Sequence, residues 1–314
     1  MLPMAHMYGL AFEFLYEFSV GCHIYFLTRM PSPKIIFQAF AEVKPHIVIA
    51  VPLIIEKIIK KNVLPKLETL KMKILLKVPI INDKIKATVR EHMIQGFGGN
   101  FHEIIIGGAA FNQEVEQLLK SIDFPYTVGY GMTECAPIIS YEDWKRFKPG
   151  SCGKSAPRME VRIDSPDPEN IVGEILTRGD NVMLGYYKNP EATAQVIDKD
   201  GWLHTGDLGV MDAAGNITIK GRSKNMLLGP SGQNIYPEEI EDKLANMPLV
   251  AENIVIQQAD HKLTALVYPD FEEAYAQGMT DADIAQVMEN NRIALNEELP
   301  GYSQITRITI QPEE

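Results

Sequence analysis

Two glycine-bearing segments follow apolar runs of strand-like composition: Ile106-Gly107-Gly108-Ala109-Ala110 and Gly129-Tyr130-Gly131-Met132-Thr133-Glu134. In a parallel α/β sheet, ligands bind beyond the carboxyl ends of the strands. Glycine lets a flat base or a phosphate approach the backbone closely. Tyr130 can stack on a purine, Thr133 can contact a phosphate or an ion, and Glu134 offers a hard oxygen to Mg²⁺. Taken singly, each segment reads more simply as a tight turn at a strand end. Asp207 closes the run Gly201-Trp202-Leu203-His204-Thr205-Gly206, which places a carboxylate in a tight loop. Such a carboxylate can accept from both ribose hydroxyls. Fifteen residues on, Arg222 offers several guanidinium donors for a second grip on ribose or phosphate. Alone, Asp207 reads as an Asx turn and Arg222 as half of a surface ion pair.

These residues need elements to hold them. Ser32-Pro33 supplies an N-cap and a first-turn proline for a helix through about Val43. A strand at His46–Val51 follows, then a helix at Asp83–Gln95 and a buried strand at Phe101–Ile106. Asn112 caps a helix to about Ile122, and Tyr126–Tyr130 reads as one short strand. Alternating strands and helices imply a mainly parallel sheet covered on both faces. Residues 158–222 change character, with short strands at Glu160–Asp164, Gly173–Thr177 and Asn216–Lys220 between Gly- and Pro-bearing turns, as in an antiparallel β subdomain. Beyond Lys224 the pattern is α+β: a helix from about Pro237, strands at Ala251–Ile256 and Leu263–Tyr268, and a helix capped by Thr280 that runs to about Leu299.

Charge marks the same division. Residues 225–314 hold 16 acidic and 4 basic residues, net −12, whereas residues 1–224 hold 25 acidic and 26 basic, net +1. The overall charge of −11 argues against general nucleic-acid binding, which needs a basic footprint. Cys22, Cys135 and Cys152 lie far apart with no CxxC pair, and no HExxH occurs, which argues against a structural zinc site and for a reducing cytoplasm. Apolar runs such as Ile47–Ile55 fall far short of a membrane span. Lys57–Arg90 carries ten basic residues among Ile, Leu and Val. That pattern suits solvated helix faces, and also a membrane-surface or anionic-cofactor patch.

Taken in order, the segments LPMAHMYG, GGAAF, GYGMTE, GEILTRGDNVMLGYYKNPEAT, GWLHTGD and GRSKNMLLGPSGQNIYPEEIE resemble the adenylate-forming superfamily, which includes acyl-CoA synthetases, luciferases and peptide-synthetase adenylation domains. The resemblance covers nearly the whole chain. It implies an α/β fold with a partial N-terminal domain over 1–224 (an α/β sheet region over 1–150 and a β subdomain over 151–224) and a small α+β lid domain over 225–314, hinged at Lys224. It assigns Gly108, Ala109, Tyr130 and Gly131 to the adenine wall, Gly107 to the cofactor site and Thr133 to the α-phosphate region. Glu134 would hold Mg²⁺, and Asp207 and Arg222 would bind ribose. His6 would sit near the acyl pocket, with a plain helix-start histidine as the alternative. Phe12, Phe14 and Tyr16 could line that pocket but read better as core.

The family's Ser/Thr/Gly-rich phosphate loop and its C-terminal catalytic lysine find no match, the last lysine being Lys262. The expectation is a fragment whose adenylation step is impaired alone. LPMAHMYGLAFEFLYEF, VPLIIEKIIKK and GPSGQNIYPEEIE resemble bacterial long-chain fatty acid–CoA ligases, implying fatty acid, ATP and coenzyme A as substrates. A ligase for another carboxylic acid and a non-catalytic adenylate-binding module are the alternatives. The expected location is cytoplasmic, with peripheral membrane contact open.

Overall fold

Three short apolar runs make the first sheet of the computed structural model, which describes residues 2, 4–27, 33–67, 69, 72, 75, 78–229 and 232–313. β1 (Ile47–Ala50), β2 (Glu103–Ile106) and β3 (Tyr126–Val128) pair in parallel in that order. Their sequences are almost wholly apolar because both faces of a parallel sheet are covered. Helices Pro33–Val43, Pro52–Asn62, Pro79–Gly96 and Gln113–Ser121 provide the cover. Ile36, Ile55, Ile59, Phe97, Ile104 and Leu119 are core residues of the cluster they enclose. The expected cap at Ser32 lies outside the described residues. The helix expected from Asp83 begins instead at Pro79, where a first-turn proline costs no hydrogen bond.

The expected single strand Tyr126–Tyr130 is two strands in two sheets. β3 ends at Val128, and β4 (Tyr130–Gly131) pairs antiparallel with β5 (Ile138–Tyr141), which pairs antiparallel with β6 (Lys154–Ser155). Gly129 lies at the switch. Buried polar contacts hold the two sheets in place. Tyr141 donates to Glu103 at 2.8 Å, Tyr126 donates to Glu116 at 3.3 Å, and Thr127 donates to the Glu142 carbonyl at 2.8 Å. Burial, then the neighbouring carboxylates, pushes both tyrosine hydroxyls upward, so they stay protonated and donate to those carboxylates.

β7 (Met159–Asp164), β8 (Gly173–Gly179), β9 (Leu203–Met211) and β10 (Ile217–Arg222) form a four-stranded sheet in the order β10-β9-β8-β7. Trp202, buried just ahead of β9, carries the guanidinium of Arg162 4.3 Å and that of Arg178 4.7 Å from its ring centre. The chain divides into two compact units: residues 1–171, 175–205 and 211–218, and residues 172–174, 206–210 and 219–314.

In the second unit, β11 (Leu227–Leu228) and β12 (Asn234–Ile235) pair as a short antiparallel ribbon. β13 (Val250–Gln257) then pairs antiparallel with β14 (Leu263–Pro269), and β15 (Ile305–Ile310) adds in parallel. Helices Pro237–Leu244 and Asp281–Glu298 pack here through Ile240, Leu244, Met288 and Leu295. Thr280 and Asp283 close a reciprocal capping box on the second helix, with Thr280 N–H donating to the Asp283 carboxylate at 2.8 Å. Among the described residues no helix is long and apolar enough to cross a membrane.

Candidate functional site

The first loop leaves β2 through Gly107. A Cβ at Gly107 would stand 3.3 Å from the Tyr8 hydroxyl and from the Gly129 carbonyl oxygen, a tight fit that a neighbour must yield a few tenths of an ångström to allow. Tyr8 donates to the Ile105 carbonyl at 3.2 Å, which fixes its ring beside the loop. Gly108 has φ of +92°, a conformation that favours glycine, and with Ala109 and Ala110 it is exposed. Asn112 then caps helix Gln113–Ser121 by accepting from Val115 N–H at 3.2 Å, while its own N–H donates to Glu56 at 3.0 Å. Burial raises the Glu56 carboxyl above its ordinary range, against the lowering effects of the Asn112 N–H and Lys60. The outcome is an open backbone edge at the exit of a parallel strand, held from below.

The second loop runs from Tyr130 to Glu134. Tyr130 is 7% exposed, so little of its ring is open to a ligand. Gly131 is glycine for a structural reason: a Cβ there would meet the Pro137 carbonyl oxygen, the acceptor of Met132 N–H at 2.9 Å. Thr133 is exposed on a short 3₁₀ turn, Thr133–Cys135, with Glu134 half-buried beside it. Burial, and then Glu134, pushes the Cys135 thiol up to about 12, so it is no nucleophile at neutral pH.

Glu134 is held from a segment fifty residues away. Its carbonyl accepts from Met183 N–H at 2.7 Å, and its Oε1 accepts from the Tyr186 hydroxyl at 2.9 Å. The Tyr186 N–H in turn donates to Thr193 Oγ1 at 2.9 Å, and Thr193 donates to the carbonyl of Asn189, the cap of helix Pro190–Val196. Gly185 belongs to this arrangement, since a Cβ would lie 2.8 Å from the Thr193 methyl. Burial, followed by the Glu134 contact, raises the Tyr186 hydroxyl, which keeps it a donor. Neither Tyr8 nor Tyr186 is singled out by residue type or spacing, although both stand within the family-like segments LPMAHMYG and GYYKNPEAT.

The second unit holds the other half of the candidates. Asp207 is buried, and its Oδ1 lies 3.1 Å from Arg222 Nε, whose side chain is 70% exposed. The expected tight loop around Asp207 is instead the middle of β9. Gly206, at φ +73°, reshapes that strand locally, its N–H donating to Glu174 at 2.9 Å and its carbonyl accepting from Ser223 at 2.8 Å. Lys224 is exposed in a turn in which Asn225 and Met226 N–H both donate to the Arg222 carbonyl. Asn225 also donates to Glu238 at 2.9 Å.

His6 is the N-cap of the short helix Met7–Leu10, its Nδ1 accepting from Tyr8 N–H at 3.2 Å. Of the three aromatics expected in the core, Phe12 packs edge-on against Tyr8, and Phe14 stacks on the exposed Phe18. Tyr16 is 54% exposed and so is not core. The run Met7–Ser19 winds through a π-helical turn at Ala11–Leu15, which rotates the later residues off the face a regular helix would present.

No group of three or more His, Cys, Asp or Glu side chains that could hold a metal occurs among the described residues. A single oriented carboxylate such as Glu134 nevertheless suits Mg²⁺, which is held by one or two carboxylates together with nucleotide phosphates and water.

The first unit thus carries an open backbone edge after a parallel strand and an oriented carboxylate, and the second unit by itself carries a buried aspartate paired to an exposed arginine. The AMP-binding enzyme family matches over residues 1–187 and the AMP-binding enzyme C-terminal domain over residues 225–313, and the chain belongs to this AMP-binding enzyme family. A long-chain-fatty-acid–CoA ligase of Escherichia coli O157:H7 is 41% identical over 152 residues, covering 46% of this chain and 27% of the relative. A 4-coumarate–CoA ligase of Solanum tuberosum is 29% identical over 283 residues, covering 83% of this chain and 44% of the relative. The fold matches that of O-succinylbenzoate coenzyme A synthetase from Bacillus subtilis in complex with ATP and magnesium ion, with a TM-score of 0.72 and 20% identity over 99% of this chain and 56% of that one. These matches thus span 27% to 56% of the relatives' own lengths.

Proposed function

We propose that this chain belongs to a ligase that activates a long-chain fatty acid with ATP and transfers the acyl group to coenzyme A. The observation that carries the reading is the Asp207–Arg222 pair. A buried carboxylate beside an exposed guanidinium offers acceptors to two ribose hydroxyls and donors to their oxygens. The exposed edge Gly108–Ala109 and the small open face of Tyr130 suit a flat base, and Thr133 stands one residue from Glu134 to meet a phosphate oxygen. Glu134, oriented by Tyr186, would hold Mg²⁺ together with the nucleotide phosphates. That ion supplies charge neutralisation when bound.

In the first half-reaction a substrate carboxylate oxygen bonds to the α-phosphorus of ATP, and the bond to pyrophosphate breaks. In the second, the thiolate sulfur of coenzyme A bonds to the acyl carbon and AMP leaves, the thiol proton passing to solvent. This chain contributes positioning and fixed dipoles, the main levers in transfer at phosphorus. Lys224, exposed between the ribose-binding Arg222 and the rest of the second unit, is the proposed hinge.

The fatty acid rests on the 41% identity to the E. coli ligase, and the coumarate-specific relatives support an aromatic acid as the second reading. Calorimetry of the 314-residue chain with non-hydrolysable palmitoyl- and coumaroyl-adenylate mimics tests both. Binding that favours the palmitoyl mimic and is lost in Asp207→Ala supports the proposal. Preference for the coumaroyl mimic replaces the substrate, and no binding by a folded chain turns the reading to a non-catalytic module.

A further inference from the structure

Away from the loops just described, helices Pro33–Val43, Pro52–Asn62, Leu64–Leu67 and Pro79–Gly96 line a partly open cavity of about 640 Å³. That lies within the roughly 300–1,000 Å³ typical of small-molecule sites. None of its lining residues belongs to the segments carrying Gly107–Ala110, Tyr130 or Glu134. Gly96 and Phe97, which line one end, lead into β2, so the cavity flanks the entry ends of the strands whereas the site loops leave from their exit ends.

Helix Pro79–Gly96 presents two adjacent stripes to this space. Ile81, Ile85, Val89 and Met93 recur every four residues and form an apolar wall; Lys84, Thr88 and His92 recur at the same spacing and form an exposed polar rim. Ile81 stays 37% exposed although apolar. From the opposite wall come Ile58 and Leu67, with Lys66 beside them. The rim's neutral groups are engaged within their own helices, Thr88 donating to the Lys84 carbonyl and Asn62 to the Ile58 carbonyl. Lys66 and Lys84 form no ion pair among the described residues. The described lining contains no carboxylate, and residues 57–90 as a whole hold ten basic and two acidic residues.

An apolar trough about 18 Å long by helix rise from Ile81 to Met93, edged by Lys66 and Lys84 with no carboxylate or ion-pair partner of theirs among the described residues, suits an aliphatic chain with an anionic end. We propose that this cavity binds a single aliphatic chain ending in an anionic head, with the chain along Ile81–Met93 and the head at Lys66 and Lys84. The basic run that the ligase reading leaves unused thereby acquires a ligand. The proposal is independent of the ligase reading, because no residue is shared.

The test is photocrosslinking of the full chain with a diazirine-bearing palmitate, followed by peptide mapping, with a saturating acyl-adenylate mimic present to occupy the ligase site. Expected are adducts confined to residues 52–67 and 79–97, at least about tenfold weaker labelling in Lys66→Glu/Lys84→Glu, and retained labelling in the Lys→Arg pair. Ile85→Trp, which fills the trough, should weaken labelling as well; the surface lysine variants keep the test valid should that one fail to fold. Competition by laurate identifies a free carboxylate as the source, and competition by lysophosphatidylglycerol alone a lipid headgroup. Adducts spread over the surface, labelling indifferent to the charge reversals, or equal competition by neutral hexadecanol would each overturn the proposal.

Discussion

Replacing Tyr186 by Phe removes one hydroxyl and tests whether Glu134 is an oriented ligand or an ordinary acidic residue. The lost contact is the 2.9 Å bond from the Tyr186 hydroxyl to Glu134 Oε1. A hydrogen bond to a charged group is worth about 1.5–3 kcal/mol net. Tyr186 is 38% exposed, so water replaces some of what is lost, and the expected cost falls to about 1 kcal/mol. One kilocalorie is roughly a fivefold change in an equilibrium constant. The cost should fall on whatever Glu134 binds, because Tyr186 keeps its ring, its N–H bond to Thr193 and the cap at Asn189. Calorimetry of an adenylate ligand should therefore show about fivefold weaker affinity with Mg²⁺ present and little change without it. Denaturant unfolding should lose no more than about 1 kcal/mol, the value of the same bond in the unliganded chain. Equal weakening with and without Mg²⁺, or a loss of stability in place of affinity, would refute the positioning role.

Gly131→Ala should destabilise the first unit by about 3 kcal/mol or more, measured by urea unfolding, because the added methyl meets the Pro137 carbonyl and parts β4 from β5. If the variant keeps its stability and loses only nucleotide affinity, the structural reason given for that glycine is wrong. Asn112→Ala should cost about 1 kcal/mol through the lost cap on helix Gln113–Ser121, read as a lower urea midpoint. Lys148 and then the Asn216 contacts hold the Asp212 carboxyl well below the ordinary carboxylate range. A depressed folded value means the stabilisation is complete above the unfolded value of about 3.9 and fades as pH falls below it. The stability gap between the wild type and Asp212→Asn should accordingly be flat above about pH 5 and shrink below about pH 4, as followed by pH-dependent urea unfolding.

The alternation of strand and helix in residues 33–130 was legible because buried parallel strands are short apolar runs, and because Asn112 and Thr280 announce their helices through capping chemistry. Failures occurred where tertiary geometry overrules a local pattern. Tyr126–Tyr130 reads as one strand by composition, and nothing local shows that Gly129 passes the chain from one sheet to another. Asp207 reads as a loop residue because glycine precedes it, whereas a long strand absorbs that glycine at positive φ. Tyr16 looks like core by type but follows a π-helical turn that no periodicity signals. Tyr186 touches Glu134 across 52 positions of sequence, and a contact of that separation leaves no mark in spacing.

The burial of Trp202 beneath the guanidinium groups of Arg162 and Arg178 also decides what light can report about this chain. The protein has two tryptophans, Trp144 and Trp202, and both fall in the first unit. Indole emission therefore follows the loss of that unit alone, while the second unit melts in the dark at the same wavelength. Far-ultraviolet circular dichroism sees the helices of both. Coincident curves from the two optical signals would mean a single cooperative transition, and separated curves would resolve two melting steps without any label being added.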